Sequence, residues 1–200
     1  MRRFAVPFAC LLALGVTFVT AQQPAPPPPT SVAAEVNGFY TRIAGFITKS
    51  AAMVPEDKYG FQPTPEVRSF ARLFGHITDD NNGACWALAG EPQQPAAVDT
   101  PNSNASGATK MKKAELEKAL ADSVARCQKA FGMITPANMM EPAGGRGNRT
   151  KIGSLIYNTS HINEHYGNIV TYLRLNGMVP PSSGGSAPDM KNMDMKGMKE

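Results

Sequence analysis

Histidine, cysteine and tryptophan are scarce in this chain: 200 residues hold three histidines, three cysteines and one tryptophan. No block of lysine and arginine is interleaved with aromatics, so nothing in the sequence suggests a nucleic-acid surface. An alternating strand pattern is missing, and so is any internal repeat. The one long apolar run, Phe4 to Val19, is about 16 residues with Pro7 inside it, short of the roughly 20 that a spanning helix needs.

That run follows a charged start, Met1-Arg2-Arg3, and precedes Thr20-Ala21-Gln22, the pattern of a secretory leader over residues 1–21 with cleavage after Ala21. Cys10 sits too early in the run, behind Pro7-Phe8-Ala9, for a lipid-attachment site. The chain carries 20 basic and 16 acidic residues, net +4, and cleavage carries off Arg2 and Arg3, so much of the apparent basicity belongs to the leader. The protein is expected to be exported, periplasmic or secreted, with no stable membrane insertion afterwards. Cleavage also removes Cys10, leaving Cys85 and Cys127 as an even pair in an oxidising compartment. A disulfide between them would tie the end of the second helix to the third; two buried free thiols are the alternative.

The prolines Pro24 and Pro26 to Pro29 make residues 22–31 a stiff extended spacer. From Ser31 to Val54, Val36, Phe39, Tyr40, Ile43, Phe46 and Ile47 recur at helical spacing, and Pro55 ends the helix. Thr64 as N-cap, Pro65 at the first helical position and Glu66 announce a second helix with Val67, Phe70, Phe74 and Ile77 on its buried face, closed by Gly90. Glu91 to Gly107 is rich in Pro, Ser, Asn and Gly, a length that suits a crossover better than a tight turn. A third helix runs from about Met111 to Phe131, with Gly132 just past its end. The connection Thr135 to Asn148 contains Gly144-Gly145-Arg146-Gly147, without the strand, spacing or lysine of a phosphate-binding loop. The fourth helix, Thr150 to Asn176, places Ile152, Leu155, Ile156, Ile162, Tyr166, Val170 and Leu173 on one face and stops at Gly177 and Pro180. The expected fold is an all-α four-helix bundle with a long crossover connection over residues 32–181, followed by a flexible Met-rich tail over 182–200.

Chemistry concentrates in His161-Ile162-Asn163-Glu164-His165. Residues four apart on a helix lie about 40° apart in azimuth and about 6 Å along the axis, so two imidazoles can grip one ion. The only other histidine, His76, falls midway along the second helix. The pair also projects away from the Ile152/Ile156/Val170 stripe, so this face is either solvated or lines a wetter groove against the second helix. The HExxH arrangement is not met, because Glu164 precedes the second histidine directly. Asp80, one turn after His76, could orient an imidazole or be a solvated helix residue; Glu164 could act as a base or be an exposed carboxylate. Met190, Met193, Met195 and Met198 could bind Cu(I), or mark a disordered C-terminus of biased composition.

Three stretches carry a family resemblance: Tyr59 to Phe70 (YGFQPTPEVRSF), Leu73-Phe74-Gly75-His76-Ile77, and His161 to Gly167 running on through Tyr172 to Pro181. Over about Val32 to Pro181 the chain resembles the DinB-like family of metalloenzymes, related to bacterial thiol-dependent transferases. The resemblance implies a four-helix bundle with a crossover and, in members that form dimers, a homodimer. It also implies a divalent ion, zinc or nickel, on His76, His161 and His165, with an open position for water or a thiolate. The leader places this chain outside the compartment where small-thiol cosubstrates are made, and no cysteine lies near the histidines in sequence. Three functions follow for test: a metal-dependent transferase or hydrolase acting on a small electrophile, a non-enzymatic metal-binding or stress-related protein, or a bundle with incidental histidines. The substrate is not legible.

Overall fold

The computed structural model describes residues 31–92, 98–99, 107–144 and 148–184. The leader, residues 22–30 of the spacer, the Met-rich segment and residues 145–147 of the glycine run lie outside the described residues. Four helices form the domain: α1 (Val32–Met53), α2 (Phe70–Cys85), α3 (Lys113–Gly132) and α4 (Lys151–Leu175). Short 3-10 turns lie at Glu56–Lys58, Gly107–Thr109 and Pro181–Ser183, and no strand occurs among the described residues. Nor, among them, is any helix long and apolar enough to cross a membrane.

Each helix packs on two others, α1 on α3 and α4, and α2 on α3 and α4. Side-chain pairs fix the directions. Asn81 meets Ser123 and Cys85 meets Cys127, so positions rise together along α2 and α3 and the two run parallel. Between α2 and α4, Phe70 meets Tyr172, His76 meets His165 and Asn81 meets Asn158, which is antiparallel. Tyr40 against Phe131, and Lys113 Nζ donating to Ala52 O, make α1 and α3 antiparallel. Parallel neighbours in sequence need a connection that travels back along the bundle, which is the crossover expected from the length of the α2–α3 link.

That crossover lies close on α2 at Gly75. A Cβ there would stand 2.7 Å from Ala108 Cβ and 3.2 Å from Val98 Cγ1, so only glycine lets the returning chain approach. Asp79 holds the same stretch by accepting Val98 N–H at 3.1 Å and Asp99 N–H at 2.8 Å. The interior is filled by Tyr40, Ile47, Phe70, Phe74, Ile77, Leu116, Leu120, Leu155, Ile162, Ile169 and Leu173, all fully buried. At about 1.5–3 kcal/mol for each large apolar side chain removed from water, this core is the main source of stability.

The structure corrects several boundaries. Thr64 to Val67 form a tight turn and not the first turn of α2; Ser69 is the N-cap, its hydroxyl accepting Arg72 N–H. The turn bends the chain back so that Phe61 O and Tyr59 O accept Phe70 N–H and Ala71 N–H, giving α2's first amides partners. Val67 is accordingly exposed. Helix α2 ends at Cys85, and Gly90 (φ 67°) closes the following turns, with Glu91 N–H on Trp86 O. Gly132 is the last residue of α3, with Met133 as its C-cap. Phe39 and Ile156 point to solvent, because α1 and α4 turn their neighbouring faces to two helices each. Thr150 lies just outside α4 as its N-cap, and Gly177 (φ 72°) ends the helix as expected, with Met178 N–H returning to Leu173 O.

Cys85 and Cys127 form a disulfide with Cα atoms 5.0 Å apart, both side chains fully buried. It joins the end of α2 to α3, and it points to a non-reducing compartment.

Candidate metal centre

The antiparallel α2–α4 seam brings all three histidines together. Ring centroids lie 4.7 Å apart for His76–His165 and for His161–His165, and 5.4 Å for His76–His161. The face of α4 that looked polar is thus the wetter groove against α2, with His165 and Tyr172 buried in it. Asp80 joins the cluster and is not a solvated helix residue: its Oδ2 stands 3.2 Å from His76 Nε2 and 3.3 Å from His161 Nδ1. One donor atom from each of His76, Asp80, His161 and His165 lies within 4.8 Å of all the others, so the group could hold a metal ion. Glu164 is exposed and stands apart from this set.

The donor chemistry fits a cation. His161 Nε2 and His165 Nε2 are 3.0 Å apart, close to the roughly 3.3 Å expected between two imidazole nitrogens each about 2.0–2.1 Å from one tetrahedral ion. His161 turns Nδ1 to Asp80 Oδ2 at 3.3 Å and Nε2 toward His165. His165 Nδ1 is buried with no hydrogen-bond partner. Burial, reinforced by the Arg68 charge and by His161, pushes His76 down from 6.5 to about 4. Burial, with His76 and His161 beside it, does the same to His165, also to about 4. Both rings are therefore neutral at pH 7, the form that ligates metal.

Around the cluster lies a shell that sequence reasoning missed. Asp99, from the crossover, has a fully buried carboxylate that accepts Arg68 Nε at 2.9 Å and Arg72 Nε at 3.1 Å, and its Oδ2 is 3.9 Å from His76 Nδ1. One turn along α2, Asn158 Nδ2 donates to Asn81 Oδ1 at 2.9 Å and Asn81 Nδ2 to Ser123 Oγ at 3.2 Å, a buried polar layer that ties α2, α3 and α4 under the cluster. One signal was available: Arg72, His76 and Asp80 follow one another at intervals of four along α2, with Arg68 four residues earlier, just before the N-cap.

Two clefts flank the cluster. One, of about 470 Å³, reaches His165 and is lined by Arg68, Arg72, Asn168 and Tyr172 among others. The other, of about 500 Å³, reaches His76 and His161 and is lined by Asp79, Asp80, Arg149 and Tyr157. Both have the size of a small-molecule site.

Comparison with known proteins agrees with this architecture. No curated protein matches the chain. A crystal structure of a conserved protein from Enterococcus faecalis is similar at TM-score 0.57 and 18% identity, covering 73% of this chain and 97% of that one, which shows a shared fold. Residues 46–169, which include all three histidines and Asp80, match the sequence model of the DinB superfamily, and the chain belongs to that superfamily.

Proposed function

We propose that this chain is an exported metal-dependent protein: it holds one divalent ion, zinc or nickel, on His76, His161 and His165 and acts in transfer or hydrolysis on a small electrophile. The observation that carries the reading is the convergence of three imidazoles from two helices, with a 3.0 Å contact between two Nε2 atoms and clefts on both sides. Export rests on the leader pattern of residues 1–21 and agrees with the Cys85–Cys127 bond. A divalent ion held by three imidazoles supplies Lewis acidity at an open coordination position. The chain's own part is to fix the rings. Asp80, its Oδ2 3.3 Å from His161 Nδ1, orients that ring, while burial keeps His76 and His165 neutral. The flanking clefts admit a small molecule from either side.

A second reading, a non-enzymatic metal-binding protein, is favoured by one contact. Asp80 Oδ2 lies 3.2 Å from His76 Nε2, close enough to serve as a fourth donor and close the coordination shell.

Elemental analysis of the purified protein, with cobalt(II) substitution, separates the two. The first reading expects about one equivalent of metal in wild type, lost in His161→Ala and retained in Asp80→Asn, with a cobalt spectrum that changes when azide is added. Loss of the ion in Asp80→Asn with a spectrum indifferent to azide supports the closed site. An absence of metal uptake by wild type refutes both.

A further inference from the structure

The cleft that reaches His165 differs in charge from its counterpart across the cluster. Arg68 and Arg72 line it, and Glu66 is the one carboxylate on its lining. The opposite cleft presents Asp79 and Asp80, with Arg149 laid over the Tyr157 ring at 3.9 Å. An anion therefore meets a favourable field on the His165 side alone.

Arg68 is built for recognition at that position. Its Nε is taken by Asp99 at 2.9 Å, which fixes the plane of the guanidinium, and its backbone carbonyl accepts the Tyr172 hydroxyl at 2.9 Å. The side chain is 27% exposed at the cleft, and no described residue accepts from its two outer amino groups. An outer edge with two parallel N–H donors matches a carboxylate bidentately. Arg72 reaches the same carboxylate from α2, its Nε 3.1 Å from Asp99 Oδ1, so the two guanidiniums are held side by side at the cleft. The same Asp99 Oδ2 that holds Arg68 stands 3.9 Å from His76 Nδ1, so the guanidinium is one carboxylate oxygen away from the histidine cluster.

We propose that this cleft is the anchor for a carboxylate-bearing small molecule: Arg68 takes the carboxylate, and the reacting end of the molecule reaches the histidine cluster past His165. The proposal deepens the metal reading above and rests on it. It names the substrate class as a small carboxylic acid with a second polar group a few bonds away, and it makes Arg68 a specificity residue.

The test uses two hydroxamates that share a chelating group, acetohydroxamate and succinic monohydroxamate, the second carrying an added carboxylate. Cobalt(II)-substituted protein is titrated with each, and binding is read from the visible absorption of the metal. Wild type is expected to bind the carboxylate-bearing probe about tenfold more tightly. Arg68→Met, with one equivalent of cobalt still bound as the control for an intact site, is expected to bind both alike. Arg68→Lys, which keeps the ion pair with Asp99 but loses the fork, should retain only a small preference. Arg149→Met should keep the full preference. Equal affinities in wild type overturn the proposal while leaving the metal site standing, and so does a preference that disappears in Arg149→Met and survives in Arg68→Met. If cobalt is not taken up, it is the metal reading that falls; calorimetric titration of the metal-free protein with glutarate then decides the anchor, and heat of binding equal in wild type and Arg68→Met, or absent from both, overturns it.

Discussion

Replacing both cysteines, Cys85→Ala with Cys127→Ala, removes a cross-link that closes a loop of 42 residues between two parallel helices. Loop-closure entropy of that length gives a loss of about 4 kcal/mol on unfolding at 25 °C. Both sulfurs sit at fully buried positions, so truncation leaves small voids, and each adds about 1 kcal/mol. Equilibrium unfolding in urea measures the sum, and reduced wild type, in which the sulfurs remain, isolates the cross-link. For a domain of this size the cross-link alone corresponds to a fall in Tm of about 10 °C. The urea m-value should rise when the bond is broken, because an unlinked unfolded chain exposes more surface. Metal content should stay at the wild-type level, since the histidines come from α2 and α4 while the bond joins α2 to α3. A loss below about 1 kcal/mol in reduced wild type, with an unchanged m-value, would refute the reasoning.

The metal-free protein should also lose stability in acid through His76 and His165. Both are held near 4 in the fold against 6.5 when unfolded, so below 6.5 the unfolded chain binds more protons; the stability is present above pH 6.5 and is lost as pH falls toward 4. Because the rings are neighbours and partly hydrated, about 3 kcal/mol for the pair is expected between pH 7 and 4. Urea unfolding with chelator present, comparing wild type with His76→Gln/His165→Gln, checks this; an equal decline in both proteins counts against it. Gly75→Ala should cost about 1–3 kcal/mol, because its Cβ would meet Ala108 Cβ at 2.7 Å. A thermal melt equal to wild type would show that the crossover can move aside without penalty.

The four helices were legible because their apolar positions keep helical spacing and because Ser31, Thr150 and Gly177 act locally, within a turn of the chain. The start of α2 was not, since Thr64 and Ser69 are both good caps in sequence. What decides between them is a tertiary event, the folding back of Tyr59 and Phe61 onto the first amides of α2. The exposure of Ile156 and the burial of Tyr172 depend on which helices flank α4, and one-dimensional spacing does not carry that information. The three histidines could be singled out by scarcity and family resemblance. Asp80 could be seen only as a helix residue near one of them, and its contact with His161 needs α4 in place. Asp99 lies in a segment with no periodicity at all; its role exists only because Asp79, Arg68 and Arg72 receive it.

The order of the helices along the chain also separates the donors of the histidine cluster. During synthesis the chain exposes His76 long before His161 and His165, with the whole crossover and α3 in between. A half-made chain therefore owns one imidazole and no grip on an ion, and the donor set closes only when the last helix docks antiparallel on α2. On the proposed assignment a bound ion serves as a receipt of finished folding. It clips the final helix to the first half of the bundle, while the disulfide, made entirely within the segment already emerged, locks the crossover behind it.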